Sequence, residues 1–140
     1  MSDPDLPDVN DLSVSEKIML ALKSDGAIRM RLIRDKNRVV WASVLCSPNM
    51  TAQDAEVISA MRDVEPDVLR EIGKQREWRK QRAAICVNLV MNPVTPEDIA
   101  VILLPRLSEA DLARVIESDE LSSHVRGAAK GVRETRSKPK

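Results

Sequence analysis

The sequence predicts an all-α fold made of about eight short helices that pack as repeating units. Apolar residues recur at helical spacing, whereas the strict apolar–polar alternation typical of half-buried strands is missing. Proline or a capping residue interrupts the apolar stretches every few turns. Segments that begin at Val39 and at Ala83 share one order of features: an apolar helix, a proline stop and a capped restart.

The composition indicates one globular domain with an aliphatic core. The chain has 140 residues, which is enough for a single domain. It contains no Phe and no Tyr, so we expect a core of Leu, Ile, Val, Ala and Met, with Trp41 buried among them. Cys46 and Cys86 lie within apolar runs, and we expect both to be small buried side chains rather than a disulfide or a metal site.

Charge and hydropathy restrict the location and the partners. The formal net charge is zero, which does not by itself suggest a polyanionic partner. No apolar run is long enough to cross a bilayer. The stretch Met1–Asp5 is acidic and lacks the basic start and apolar core of a signal peptide. We therefore expect a cytoplasmic protein that does not contact a membrane.

The chain divides into three parts. Residues 1–12 form an acidic leader with too little apolar surface to fold, and we expect it to be disordered. Residues 13–133 form the α-helical repeat domain, and residues 134–140 form a basic tail that we expect to fray. The expected helices lie near residues 16–22, 27–34, 38–46, 51–61, 66–72, 78–91, 96–104, 108–116 and 122–132.

Capping signals predict where several helices begin. Ser13 and Glu16 have the spacing of a capping box, in which each side chain binds the other residue's backbone N–H. Thr51 and Thr95 are the expected N-caps of two later helices. Pro66 falls in a first helical turn, where a missing N–H does no harm.

The longest expected helix, Trp78–Met91, is basic in its first half and apolar in its second. Pro93 follows its end and separates it from the next helix. Two groups of small residues, Ala83-Ala84 and Gly127-Ala128-Ala129, are expected to let helices approach closely.

Internal similarity supports a repeat. When the sequence is shifted by 44 residues, many residues fall on identical ones. These pairs include Thr51 with Thr95, Asp54 with Asp98, Ile58 with Ile102, Arg62 with Arg106 and Arg82 with Arg126. A period in the forties is typical of helical solenoids, in which short helices bury their apolar faces against neighbouring units.

Two motifs carry a resemblance to known families. Asp119–Ala129 contains an acidic residue, a short gap, Val-Arg and small apolar residues, and it resembles HEAT-like repeats. Asn92–Pro96 is similar to the Asn-Pro-x-Thr-Pro turn of leucine-rich-repeat-variant proteins, and the chain also resembles a group of short, uncharacterised bacterial proteins. The resemblance covers roughly residues 13–133 and implies a HEAT-like α-solenoid. The cysteine cluster that holds an iron–sulfur centre in one such protein is missing here, so no cofactor is implied.

Basic residues cluster in three places, within residues 29–38, 74–82 and 124–133. In a solenoid these clusters would form a basic ridge that binds an acidic partner or phosphates. The alternative is that they are solvated faces whose arginines pair with Asp residues of neighbouring units. Trp78 lies among charged residues. We expect it either to be an exposed binding contact or to cover a groove between units with an arginine stacked on it. The candidate partner contacts are Arg38, Trp78, Arg79, Lys80, Arg82 and Arg126.

Catalytic groups are not recognisable in the sequence. His124 is the single histidine, and the four glycines are too scattered to form a phosphate loop. We therefore expect a non-catalytic scaffold module that binds a protein partner on its surface in a bacterial cytoplasm. The alternative is a double-stranded DNA-binding repeat protein that uses the basic rows. Single-stranded nucleic acid is disfavoured, because the chain has no Phe or Tyr on which bases stack.

Overall fold

The structure, a computed structural model, describes residues 8–23 and 25–138. Within these residues it is entirely helical, with ten α-helices, two short 3₁₀ turns and no strand, which confirms the predicted all-α class. The helices are α1 (Val14–Lys23), α2 (Gly26–Leu32), α3 (Arg38–Leu45), α4 (Ala52–Ser59), α5 (Pro66–Lys74), α6 (Arg76–Gln81), α7 (Ala84–Met91), α8 (Glu97–Leu103), α9 (Glu109–Glu117) and α10 (Ser123–Ser137). The 3₁₀ turns are Val9–Asp11 and Leu104–Arg106.

The expected single helix Trp78–Met91 is two helices, so that prediction was wrong. Arg82 has extended backbone angles (φ −135°, ψ 92°), and its N–H bonds the Trp78 carbonyl at 2.9 Å to close α6. A new helix then starts, α7, in which Ile85 and Leu89 are fully buried, whereas α6 buries no residue. The break lets the apolar half lie in the core while the basic half remains at the surface.

Helix α7 lies at the centre of the packing. It contacts α4, α5, α6, α8 and α9, so it joins the first part of the domain to the last. Its side of the core is aliphatic, with Ile85, Leu89 and Val90 fully enclosed. Trp41 of α3 is also buried, as predicted. Burial of apolar surface is the main favourable term in folding, and here aliphatic side chains supply nearly all of it because the chain has only two aromatic residues.

The same tight turn follows α3 and α7. After α3 the N–H of Asn49 donates to Ser47 Oγ at 3.3 Å, and after α7 the N–H of Val94 donates to Asn92 Oδ1 at 3.0 Å. The Asn92 side chain also donates to the carbonyls of Ser59 (3.1 Å) and Met61 (2.7 Å). It therefore satisfies carbonyl groups at the end of α4, which a helix cannot satisfy internally.

The residues matched by the 44-residue shift are not equivalent in their surroundings. Ile58 is fully buried, whereas Ile102 is 67% exposed. The two copies of the turn, at Pro48 and Pro93, lie one residue further apart than that shift. Residues that are identical at the 44-residue shift therefore do not have to be buried to the same extent.

Most predicted caps are confirmed. Ser13 and Glu16 exchange side-chain bonds with each other's backbone N–H, both at 3.2 Å, and Thr51 caps α4 in a capping box with Asp54. Thr95 is an exception and was predicted wrongly. The turn after α7 directs Thr95 into the protein, Pro96 takes the cap position, and α8 begins at Glu97.

Several small residues also differ from expectation. Cys86 is buried as predicted, but Cys46 is exposed because it follows the last turn of α3. Ala129 is fully buried, whereas Ala83 and Ala84 are exposed and a Cβ on Gly127 would meet nothing within 4 Å, so the close approach expected at these three residues is wrong. Close packing occurs instead at Gly73, where a Cβ would lie 2.7 Å from Ile99 Cγ2.

The predicted end segments are described only in part. The first seven residues of the expected leader lie outside the described residues, and Val9–Asp11 forms a 3₁₀ turn. Helix α10 runs to Ser137, and Arg136 donates to Glu109 at 2.9 Å and to the Pro105 carbonyl at 2.7 Å. None of the helices described here combines the length and the hydropathy needed to span a bilayer.

Candidate functional site

The first basic cluster is used largely inside the domain. Arg29 is buried and binds Asp54 at 3.1 Å. Arg34 binds Asp63 at 2.6 Å. The first ion pair joins α2 to α4, and the second joins the segments that follow these two helices. For these arginines the structure shows the structural alternative, which is Arg–Asp pairing between neighbouring parts of the chain.

Arg38, one of the candidate contacts, is held in the same way. Its guanidinium lies 2.9 Å from Asp67, and its Cζ lies 5.2 Å from the centre of the Trp41 ring. The arginine stacking that we considered for Trp78 is therefore found on Trp41. Arg38 joins α3 to α5 through the ion pair, and its charge already has a partner.

The third basic cluster, on α10, has an acidic residue of α9 beside it. Arg133 lies 3.5 Å from Glu109, whereas His124 and Lys130 are exposed. Arg126, another candidate contact, is half-buried, and its Nε is enclosed without a hydrogen-bond partner among the described residues. The cluster therefore gives no continuous row of free cations.

The second cluster differs, because it forms one wall of a basic cleft. Arg76, Arg79 and Lys80 project from α6 at positions i, i+3 and i+4, which share one face of a helix. Arg106 also lines the cleft and lies in the 3₁₀ turn that follows α8. The cleft holds about 380 Å³, and its remaining lining residues are Ala83 and Cys86.

The local sequence explains why these side chains meet. The chain breaks at Arg82 and turns inward, which places Ala83 and then Cys86 beside the basic face of α6. Pro105 occurs where α8 ends, and the chain continues as a 3₁₀ turn rather than a longer helix. That turn contacts α7 and presents Arg106 to the same space.

The cations of the cleft have no acidic partner among residues 8–23 and 25–138. In the part of the chain that the structure describes, no carboxylate oxygen lies within 4.0 Å of the side-chain nitrogens of Arg76, Arg79, Lys80 or Arg106. The Nε atom of Arg79 is enclosed and has no hydrogen-bond partner there. Four like charges therefore share one opening to solvent.

Cys86 at the cleft is a neutral thiol. Burial raises the pKa of the Cys86 thiol above its ordinary value, although the charges of Arg79 and Arg106 and a hydrogen bond from Arg79 oppose that rise. Near pH 7 the sulfur is therefore protonated and is not an activated nucleophile. What the cleft offers chemically is a set of cationic hydrogen-bond donors.

The other candidate contacts lie apart from this cleft. Trp78 is half-buried and packs against the core, and it does not line the cleft. Arg82 lies 3.9 Å from Glu56, at the limit of an ion pair. The structure thus brings together Arg79 and Lys80 from the predicted set and adds Arg106, which no local sequence pattern singles out.

Cys86 is the one cysteine that lines the cleft, and it has no neighbouring set of metal-binding side chains among the described residues. Within residues 8–23 and 25–138, no three His, Cys, Asp or Glu side chains come together in a way that would hold a metal ion. Comparisons with protein-family models, with curated proteins and with solved structures give no match to this chain.

Proposed function

We propose that this protein is a non-catalytic interaction module that binds an acidic segment of a protein partner at the basic cleft. We further propose that its ten helices form a HEAT-like solenoid that presents the cleft. The observation that carries the functional proposal is that, among the described residues, no carboxylate oxygen lies within 4.0 Å of the side-chain nitrogens of Arg76, Arg79, Lys80 and Arg106.

Unpaired cations in one cleft repel one another, so their arrangement costs free energy in the isolated chain. Elsewhere the chain pairs its arginines with nearby carboxylates, as Arg29 does with Asp54 and Arg34 does with Asp63. An incoming Asp or Glu side chain would remove the repulsion and supply acceptors to the guanidinium groups. Arginine is also enriched at protein interfaces, where its planar donors bind carboxylates bidentately.

Duplex DNA, the alternative partner, fits this surface less well. DNA binding rests on a row of cations that follows successive phosphates. Here the arginines of the first cluster are engaged by Asp54, Asp63 and Asp67, and Glu109 accompanies the basic residues of α10. One compact cleft favours an acidic side chain or a short acidic segment over an extended polyanion.

Binding of two fluorescent probes tests the proposal. One is a short peptide rich in Asp and Glu, and the other is a short DNA duplex, each followed by anisotropy at low and high salt. Arg79→Glu with Lys80→Glu should weaken peptide binding at least about tenfold. The matched control, Lys36→Glu with Lys130→Glu, changes the net charge equally at exposed positions outside the cleft and should have little effect.

Thermal unfolding of each variant would establish that it is folded. Equal loss of peptide binding in the two double variants would show that net charge, not the cleft, controls binding. Duplex binding that is tighter than peptide binding, and that falls steeply with salt, would replace the protein-partner proposal with the DNA alternative.

A further inference from the structure

We propose that the basic cleft binds a phosphate monoester, carried by a phosphorylated side chain of the protein partner. This inference rests on the proposed function and specifies its chemistry. The juxtaposition that carries it is three guanidinium groups and one ammonium group around a single opening, without a carboxylate among the described residues to neutralise them.

The charge of the cleft favours a phosphate over a carboxylate. A phosphorylated side chain brings about two negative charges on three acceptor oxygens at neutral pH, whereas Asp or Glu brings one. Arg76, Arg79, Lys80 and Arg106 together present four positive charges. A single carboxylate leaves most of that charge unbalanced, and a phosphate dianion balances more of it from one position.

The hydrogen-bond donors of the cleft also suit a phosphate. Guanidinium groups donate two parallel N–H bonds, which match two oxygens of a phosphate, and phosphopeptide-binding domains use arginine clusters for this reason. Arg79 and Arg106 come from different elements, α6 and the 3₁₀ turn Leu104–Arg106, so one anion in the cleft would be held by two separate parts of the chain.

The volume of the cleft is sufficient for the ligand. About 380 Å³ is open to solvent, which is room for a phosphate together with the side chain that carries it. Cys86 adds no negative charge, because burial raises the pKa of its thiol against the effect of Arg79 and Arg106. No lining side chain is therefore an anion that would repel phosphate.

Peptide libraries test the inference without knowledge of the partner's sequence. Three libraries with the same degenerate flanks carry phosphoserine, glutamate or serine at the fixed central position. We expect the phosphoserine library to bind at least about tenfold more tightly than the glutamate library, and the serine library to bind most weakly. Arg106→Gln should remove most of the difference between phosphoserine and glutamate, whereas Lys130→Gln should leave it unchanged.

The possible outcomes separate this inference from the proposed function. Equal binding of phosphoserine and glutamate libraries, both weakened by Arg79→Glu with Lys80→Glu, would overturn the phosphate assignment and leave an acidic-segment site. Binding of neither library would overturn both. Inorganic phosphate serves as a third probe. If it competes as strongly as the phosphoserine peptides do, the cleft is a site for free phosphate and the peptide part of the inference is wrong.

Discussion

At the scale of single residues, Thr51 and Thr95 show how one residue type takes two roles. The Thr51 hydroxyl accepts the Asp54 N–H at 3.1 Å, and Asp54 Oδ2 accepts the Thr51 N–H at 3.2 Å. Asp54 also receives Arg29 at 3.1 Å, so this cap is joined to α2. Thr95 is buried, and its Oγ1 has no hydrogen-bond partner among the described residues.

Replacement of each threonine by valine, which keeps the branched shape, should therefore give different results. Thr51→Val removes a capping acceptor and should lower the free energy of unfolding by about 1 kcal/mol. Thr95→Val removes a buried hydroxyl that has no bonding partner in the described chain, so it should be neutral or stabilising. Urea denaturation of both variants measures the difference. A loss at Thr95 as large as that at Thr51 would contradict the surroundings described for Thr95.

Single arginines likewise cannot be assigned from the sequence. Arg38 and Arg79 both lie in basic clusters. The structure engages Arg38 with Asp67 and Trp41, and it leaves Arg79 without an acidic partner among the described residues. The difference depends on carboxylates that lie far away in the sequence, so no local pattern reveals it.

At the scale of elements, α5 and α8 approach closely at Gly73. Gly73 is fully inside the domain, in the last turn of α5, and its missing side chain makes room for Ile99 of α8. The methyl group of Ile99 is attached at a branched Cβ and has little freedom to move away. Two exposed glycines on α10, Gly127 and Gly131, instead have open space where a Cβ would lie, with nothing within 4 Å.

Alanine substitutions at Gly73 and Gly127 should have opposite effects on stability. At Gly73 the new methyl group lies 2.7 Å from Ile99 Cγ2, so the helices must shift, at a cost of about 1–3 kcal/mol. At Gly127 the methyl group enters open space, and alanine's better helix propensity should add up to about 1 kcal/mol. Thermal unfolding shows whether each substitution raises or lowers the stability. A stable Gly73→Ala variant would mean that α5 and α8 pack less closely than described.

Local signals predicted the elements better than their arrangement. The capping boxes at Ser13 and Thr51 were predictable because their contacts lie three residues apart. The break at Arg82 was not, because residues 78–91 contain no proline or glycine and nothing local interrupts the helix. The break arises where a basic segment meets an apolar one, and the packing of α7 against five other helices determines it.

At the scale of the whole molecule, ion pairs join parts of the chain that are distant in sequence. Lys17 and Asp35 lie 2.7 Å apart and connect α1 to the segment after α2. Arg70 of α5 binds Asp98 of α8, and Arg136 of α10 binds Glu109 of α9. The basic cleft is the exception to this pattern, and its position could not be predicted because Arg106 comes from a turn whose distance from α6 only the fold sets.

Two of these carboxylates make stability depend on pH. Burial of Asp35 opposes its ionisation, but hydrogen bonds from Lys17 and from the Asn37 backbone outweigh burial, and the pKa of Asp35 is lowered. The hydrogen bond from Arg70 lowers the pKa of Asp98. A carboxyl group whose pKa is lower in the folded state stabilises it fully above the unfolded value of about 3.9. That stabilisation is lost as the pH falls through the folded pKa.

We therefore expect the melting temperature to fall as the pH drops below about 4. Asp35→Asn should cost about 1 kcal/mol at pH 7, since Lys17 loses its charged partner, and the variant should depend less steeply on acid. Asp119→Asn is the control, because Asp119 is exposed and has no ion pair among the described residues. Scanning calorimetry from neutral to acidic pH measures these differences. Parallel curves for wild type and Asp35→Asn would show that the Lys17 pair does not contribute to the acid response.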